Sequence, residues 1–288
     1  MQDQTKGPQS TTGYVVDAEN VAEMARLTKQ ARMLSEHLGL LPPAVDVGSQ
    51  DRILDIGCGP GEWVLEIARR FPANRVSGID ISERMIAYDR YYVNDHGITN
   101  AHFQVMDARQ PLAFPDASFD LVNARFVVGF LSTTTWPQLL RESFRVLRPG
   151  GIFCSSEPES LGTTTSPSLA QYNLLVTQAM RLSGQCFSPL GEQYGIAAMQ
   201  RRLFQEAGFQ DLQQEAFVIN YSAGMPAHVA MYDNFKTFLK LLQPLLVQRG
   251  LSTQGEIEAL YARTLEEMTS DDFCAVAFFQ RVWGKKPA

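Results

Sequence analysis

Asp55, Gly57, Gly59 and Gly61 stand at alternate positions directly after the apolar run Ile53-Leu54. Glycine adopts positive φ readily and lets a ligand approach the backbone with no Cβ in the way. Val64, Leu65, Ile67 and Ala68 follow between Glu66, Arg69 and Arg70, which is helical spacing. A strand, a tight turn and a helix start are therefore expected, with free N–H groups turned toward polar ligand atoms. Further on, Arg75-Val76-Ser77-Gly78-Ile79-Asp80 reads as a second strand ending in an acid. A carboxylate in that place can accept two hydrogen bonds from ribose hydroxyls. These residues could hold a nucleotide-like ligand. Groups that could move a proton are sparser. His228 could titrate near neutral pH, and Glu157 closes a predicted strand. His37 reads as surface, and His96 and His102 fall on the wrong side of the sheet. Cys58 and Trp63 read as packing residues. The four cysteines, at 58, 154, 186 and 274, show no metal-ligand spacing, and no cluster of acids with an asparagine stands out, so no metal is expected.

The elements that must position these groups can be traced along the chain. Met1 to Thr12 is polar and reads as a flexible arm. Asn20 with Glu23 can cap a helix, and Val21, Met24, Leu27, Ala31, Leu34 and Leu38 recur at helical spacing. Gly39 and Pro42-Pro43 end it. Ala101 to Met106 reads as a third strand, Ser118 to Arg125 as a fourth and Ile152-Phe153-Cys154 as a fifth. Arg145-Val146-Leu147-Arg148-Pro149-Gly150-Gly151 ends a helix ahead of that fifth strand, because proline cannot continue a helix and glycine supplies the reversal. Leu169 to Leu182 and Tyr194 to Gly208 read as helices, Gln213 to Tyr221 as a sixth strand, and Asp272-Phe273 to Val282 as a seventh.

The ordered set Asp55-x-Gly57-x-Gly59-x-Gly61, Asp80, Asp107, Phe119-Asp120 and Leu147-x-Pro149-Gly150-Gly151 resembles the class I S-adenosylmethionine-dependent methyltransferases, closest to their ubiquinone-biosynthesis-like and natural-product tailoring groups. The resemblance implies an α/β fold: a Rossmann-like, seven-stranded, mostly parallel sheet with helices on both faces, the seventh strand antiparallel, plus a helical lid. It divides the chain into an arm and cofactor-covering helix (1–43), a cofactor-binding core (44–157), a loop, helices and sixth strand completing the core (158–222), a helical substrate lid (223–270) and a last strand with a tail (271–288). The cofactor would be S-adenosylmethionine, leaving as S-adenosylhomocysteine. Gly57, Gly59 and Gly61 would pass its amino-acid part, and Asp55 would support the loop or meet the amino group. Asp80 would hold the ribose, Ile81 and Met106 would sandwich the adenine, and Asp107 with Ala108 would meet its edge. Asn123, Ala124 and Arg125 would lie near the methionine portion, Tyr14 would cover the cofactor, and Gln30 would reach its carboxylate. Plainer readings stand beside these: Asp55 as a turn cap, Ile81 and Met106 as core, Arg125 paired with an acid, Tyr14 as a surface aromatic.

The resemblance implies in-line methyl transfer to O, N or C of a small organic metabolite, with His228 or Glu157 as the base if one is needed. Met225, Met231, Tyr232, Phe235, Phe238, Leu239, Leu241 and Leu242 crowd the lid segment, so the acceptor is expected to be apolar or aromatic. Two other readings share the glycine turn. One is a protein of this fold that binds the cofactor without methyl transfer, as a cyclase, a decarboxylase or a binding module. The other is a nicotinamide oxidoreductase, which Glu62 in place of the later glycine disfavours. A net charge of −6 argues against a nucleic-acid partner. Hydrophobic content of 45% suits a soluble globular chain. No signal-peptide pattern and no span-length apolar run is seen, so a cytoplasmic monomer or homodimer is expected.

Overall fold

Asn20 starts the first helix, α1 (Val21–Leu38), by accepting the N–H groups of Ala22 and Glu23. Glu23 does not return the bond as a capping partner would; its carboxylate turns inward and is fully buried. The computed structural model describes residues 13–288, so the expected arm of 1–12 lies outside them. The core alternates β1 (Arg52–Ile56), α2 (Glu62–Arg70), β2 (Arg75–Asp80), α3 (Glu83–Asp95), β3 (Ala101–Val105), β4 (Phe119–Arg125), α4 (Trp136–Val146) and β5 (Leu147–Pro158). Then come a two-residue β6 (Thr163–Thr164), α5 (Pro167–Leu182), α6 (Ile196–Glu206), β7 (Gln210–Asn220), α7 (His228–Gln248), α8 (Gln254–Met268) and β8 (Ala275–Lys285).

The sheet runs β3-β2-β1-β4-β5-β8-β6, with β7 on the other edge of β8. Strands β1 to β5 pair in parallel, and β8 runs antiparallel to β5, β6 and β7. The short β6, inside the stretch expected to be a loop, makes eight strands among the described residues where seven were expected. Side-chain alternation divides the core in two, as a period of two requires. Leu54, Ile56, Val122 and Phe153 face one layer, while Ile53, Val76, Leu121 and Cys154 face the α2 side.

Two connections matter for the site. Trp63 on α2 is buried and donates its indole N–H to the Leu40 carbonyl, tying the segment after α1 to the core. Arg281 on β8 donates to the Leu38 and Gly39 carbonyls at the end of α1 and to Ser156 Oγ on β5. These bonds satisfy carbonyls that a helix end leaves free and fix α1 over the sheet. Opposite α1, α7 brings Met231, Phe235, Leu239 and Leu242 into the core.

Candidate functional site

The chain leaves β1 for β2 and β3 on one side, then returns to lay β4 on the other. Ligands bind outside the carboxyl ends of such strands, where the order reverses. One cavity opens there, walled by the turn after β1, the ends of β2, β3 and β4, and α1 as a roof.

Gly57 and Gly59 give this cavity their backbone at φ of +68° and +52°. A Cβ on Gly57 would crowd the Phe130 ring at 3.2 Å. One on Gly59 would meet nothing nearer than Leu27 at 3.9 Å, so it would project into the open space that a ligand needs. Gly61 does not line the cavity. It starts α2 in the left-handed region, and a Cβ there would lie 2.9 Å from Asp89 Oδ1 and from the Phe103 ring.

Asp80 faces the glycine turn. Its carboxylate accepts the N–H of Gly59 and of Ser82, both at 2.9 Å. Burial raises its pKa, and those N–H bonds oppose the rise. The Ile81 backbone bonds it as well, and of about four lone-pair sites on a carboxylate at least one remains for a ligand hydroxyl. Ile81, Met106, Asp107 and Ala108 line the far end. Burial alone would raise the Asp107 carboxyl, but Arg109 bonds it through side chain and backbone and holds it below the usual range.

Asp55 and Arg125 line the opposite end. Burial lifts the Asp55 carboxyl to about 6, against the pull of Arg125 and of Asn123. Asn123 Nδ2 donates to Asp55 Oδ1 at 2.7 Å; it is buried behind the cavity and orients that acid rather than facing a ligand. Ala124 is likewise buried and lines no cavity. The Arg125 guanidinium lies under α1, 3.4 Å from Ser35 Oγ. Tyr14 and Gln30 roof the cavity. The Tyr14 hydroxyl donates to Glu23 Oε1 at 2.8 Å, and burial followed by that acid raises its pKa well above the ordinary value.

A second cavity adjoins the first and shares with it the walls Tyr14, Leu27, Gln30, Leu34 and Phe126. Its surface is mostly apolar, from Met33, Val176, Met180, Met231, Phe235 and Phe238 among others. Phe126 turns the chain out of β4 at φ +59°, a strained conformation for a bulky residue and one that clusters at sites. The turn that follows is braced from behind by Glu157. Its carboxylate accepts the N–H of Val127 at 3.3 Å and of Val128 at 3.0 Å, and the Ser155 hydroxyl at 3.1 Å.

The two suggested bases face neither cavity. Glu157 is fully buried, and burial pushes it up to about 8. His228 begins α7, with Nδ1 3.0 Å from the Tyr221 carbonyl and its ring tilted against Phe273. Both side chains are spent on the scaffold. Glu23, expected only as a capping partner, joins the site together with Arg26 and Asn234, which no sequence motif singles out. Glu23 and Arg26 carried a faint signal, a charged pair at i,i+3 beside the apolar stripe of α1, because such a pair on an inner face must be satisfied internally. Among the described residues, no three His, Cys, Asp or Glu side chains gather as a metal would require, and no helix is long and apolar enough to cross a membrane.

A profile of the methyltransferase domain matches residues 53–151. The chain is 31% identical over 193 residues to demethylmenaquinone methyltransferase of Listeria monocytogenes, covering 61% of this chain and 75% of that protein. It is 28% identical over 194 residues to the protein of the same name from Geobacillus kaustophilus, covering 62% and 79%. Among solved structures, phosphoethanolamine N-methyltransferase 2 of Haemonchus contortus, in complex with phosphomonomethylethanolamine and S-adenosylhomocysteine, matches with a TM-score of 0.59 at 19% identity, over 98% of this chain and 61% of that one. The YcgJ protein of Bacillus subtilis matches with a TM-score of 0.53 at 19% identity, over 91% and 99%. At such identities the structural likeness speaks for the fold.

Proposed function

Because this chain belongs to the class I S-adenosylmethionine-dependent methyltransferases, we propose that it moves the methyl group by in-line displacement to a small, largely apolar organic acceptor in the second cavity. The shared wall between the two cavities carries this reading. A ligand filling each would meet the other along Tyr14, Gln30 and Phe126, with little room for water between them.

The first cavity suits the cofactor on its own features: open space beside Gly59, a carboxylate at Asp80 with acceptor capacity left over, and a cation at Arg125. Asp80 would receive the ribose hydroxyls, and Ile81 and Met106 would flank the adenine above Asp107 and Ala108. Arg125 and the glycine turn would hold the amino-acid portion. Asp55, oriented by Asn123, would stand beside it. When bound, S-adenosylmethionine supplies an electrophilic methyl carbon on a sulfonium. The protein's share is then to align the acceptor and exclude water. With His228 and Glu157 facing away, neither is assigned as a general base, and the acceptor atom reacts as a nucleophile already free of its proton.

Calorimetric titration with S-adenosylmethionine and S-adenosylhomocysteine tests the cofactor site. Asp80→Ala should weaken both by at least roughly tenfold, since hydrogen bonds to a charged group are worth about 1.5–3 kcal/mol each. Isotope-labelled methyl transfer to phenolic and isoprenoid-like acceptors then tests the chemistry. Tight cofactor binding with no transfer to any of them would favour a protein that uses the cofactor without passing on its methyl.

A further inference from the structure

The second cavity is apolar except for a small group of side chains at its border with the first. Arg26 on α1 is buried, and its Nε and Nη2 donate to the two oxygens of Glu23. That pair is neutral overall and holds no spare positive charge for an anionic ligand. The other guanidinium nitrogen, Nη1, donates to Gln30 Oε1 on the same helix and to Asn234 Oδ1 on α7. A guanidinium has donors only, so both amides must turn their oxygens toward it. Both amide NH2 groups are thereby turned away from Arg26. Neither bonds to another described protein group, both side chains are half-buried, and both line the cavity.

We propose that Gln30 and Asn234 form a two-donor clamp for an oxygen of the acceptor, with Arg26 as the positioning residue that sets both amides. The inference rests on the second cavity being the acceptor site. It narrows the substrate to an apolar molecule bearing a carbonyl or phenolate oxygen. An ammonium group would meet the two NH2 donors first, with the amide oxygens already turned to Arg26, so charged amines are disfavoured. A carboxylate or phosphate would find no unpaired cation among the described residues that line this cavity. The other polar groups on the wall fit the same picture. The Tyr14 hydroxyl is given to Glu23 and the Ser160 hydroxyl accepts from Gly162, while burial keeps the Tyr194 hydroxyl protonated as a further donor. Gln30 also lines the first cavity, which places the clamped oxygen at the junction, close to where the methyl would be presented. Its partner on α7 means that the clamp exists only while the lid is packed on α1.

The test uses the full chain loaded with S-adenosylhomocysteine and two probes of the same ring system, 1-naphthol and naphthalene, titrated by fluorescence. The wild type should bind 1-naphthol about tenfold more tightly, as two neutral hydrogen bonds imply. Asn234→Asp keeps an oxygen on Arg26 but replaces the donor with a second acceptor. It should bring the two probes within about twofold of each other by weakening 1-naphthol, with S-adenosylhomocysteine affinity unchanged as the sign of an intact fold. Gln30→Glu makes the same exchange from α1 and should act in the same direction. Equal binding of both probes to the wild type, or a preference that survives both variants, overturns the clamp and leaves the acceptor cavity standing. Failure of both probes to bind while S-adenosylhomocysteine does overturns the acceptor cavity and the clamp with it.

Discussion

Asp55, Asp89 and Glu157 are buried carboxyl groups whose pKa values burial pushes up to about 6, about 9 and about 8. Asp89 lies under the glycine turn near Cys58 and Gly61, and neither of its oxygens is hydrogen-bonded. An acid whose pKa is higher in the folded than in the unfolded chain binds more protons when folded, so stability falls as pH rises through the interval between the two values. That interval runs from 3.8 to about 9 for Asp89 and from 4.5 to about 8 for Glu157. The thermal midpoint should therefore decline from pH 5 to pH 9. Asp89→Asn cannot ionise and should flatten that decline, exceeding the wild type at pH 9 while lying close to it at pH 5; Glu157→Gln should flatten it as well but start lower at pH 5, because its NH2 would face one of the N–H groups that the Glu157 oxygens accept. A wild-type midpoint that rises over this range would show that these acids are ionised in the folded state.

At the scale of the element, the turn between β1 and α2 divides its labour among glycines that look alike in the sequence. Both Gly59 and Gly61 have positive φ, which costs an alanine about 1–2 kcal/mol. Beyond that shared penalty they differ. Gly61 lets α2 pack against Asp89 and Phe103, with no room for a methyl. Gly59 borders open cavity. Gly61→Ala should therefore lower the thermal midpoint more, and Gly59→Ala should lose more S-adenosylhomocysteine affinity relative to its loss of stability. Paired thermal melts and calorimetry would read both, and the reverse ranking would contradict this division.

At the scale of the whole molecule, the site is a seam between the sheet and two helices distant in sequence. Arg281 ties the end of α1 to β8 and β5, while Arg26 ties its middle to Asn234 on α7. A ligand under α1 would add contacts to a roof already bonded to α7, and binding to the native state slows local opening in proportion to affinity. S-adenosylhomocysteine should therefore slow amide hydrogen exchange across α1 and the adjoining turns of α7, measured by mass spectrometry on the intact chain. Unchanged exchange in α1 under saturating ligand would remove its role as a cover.

The sequence by itself determined the alternating strands and helices, the glycine turn, the acid closing β2 and the Pro149-Gly150-Gly151 reversal. Periods of two and 3.6 and backbone-restricting residues are local properties, readable a few residues at a time. It also carried the expectation that Asp80, Met106 and Arg125 converge, since each ends a strand of one parallel sheet. Only the tertiary structure decided where side chains of similar sequence standing would spend their polar groups. Asn123 turns to Asp55, Glu157 to the amides after β4, and His228 to a carbonyl beside Phe273. Gln30 and Asn234, far apart in the chain, meet on one guanidinium. Those choices are set by packing between distant elements, where a buried polar atom must find a partner, and no local pattern encodes which partner that will be.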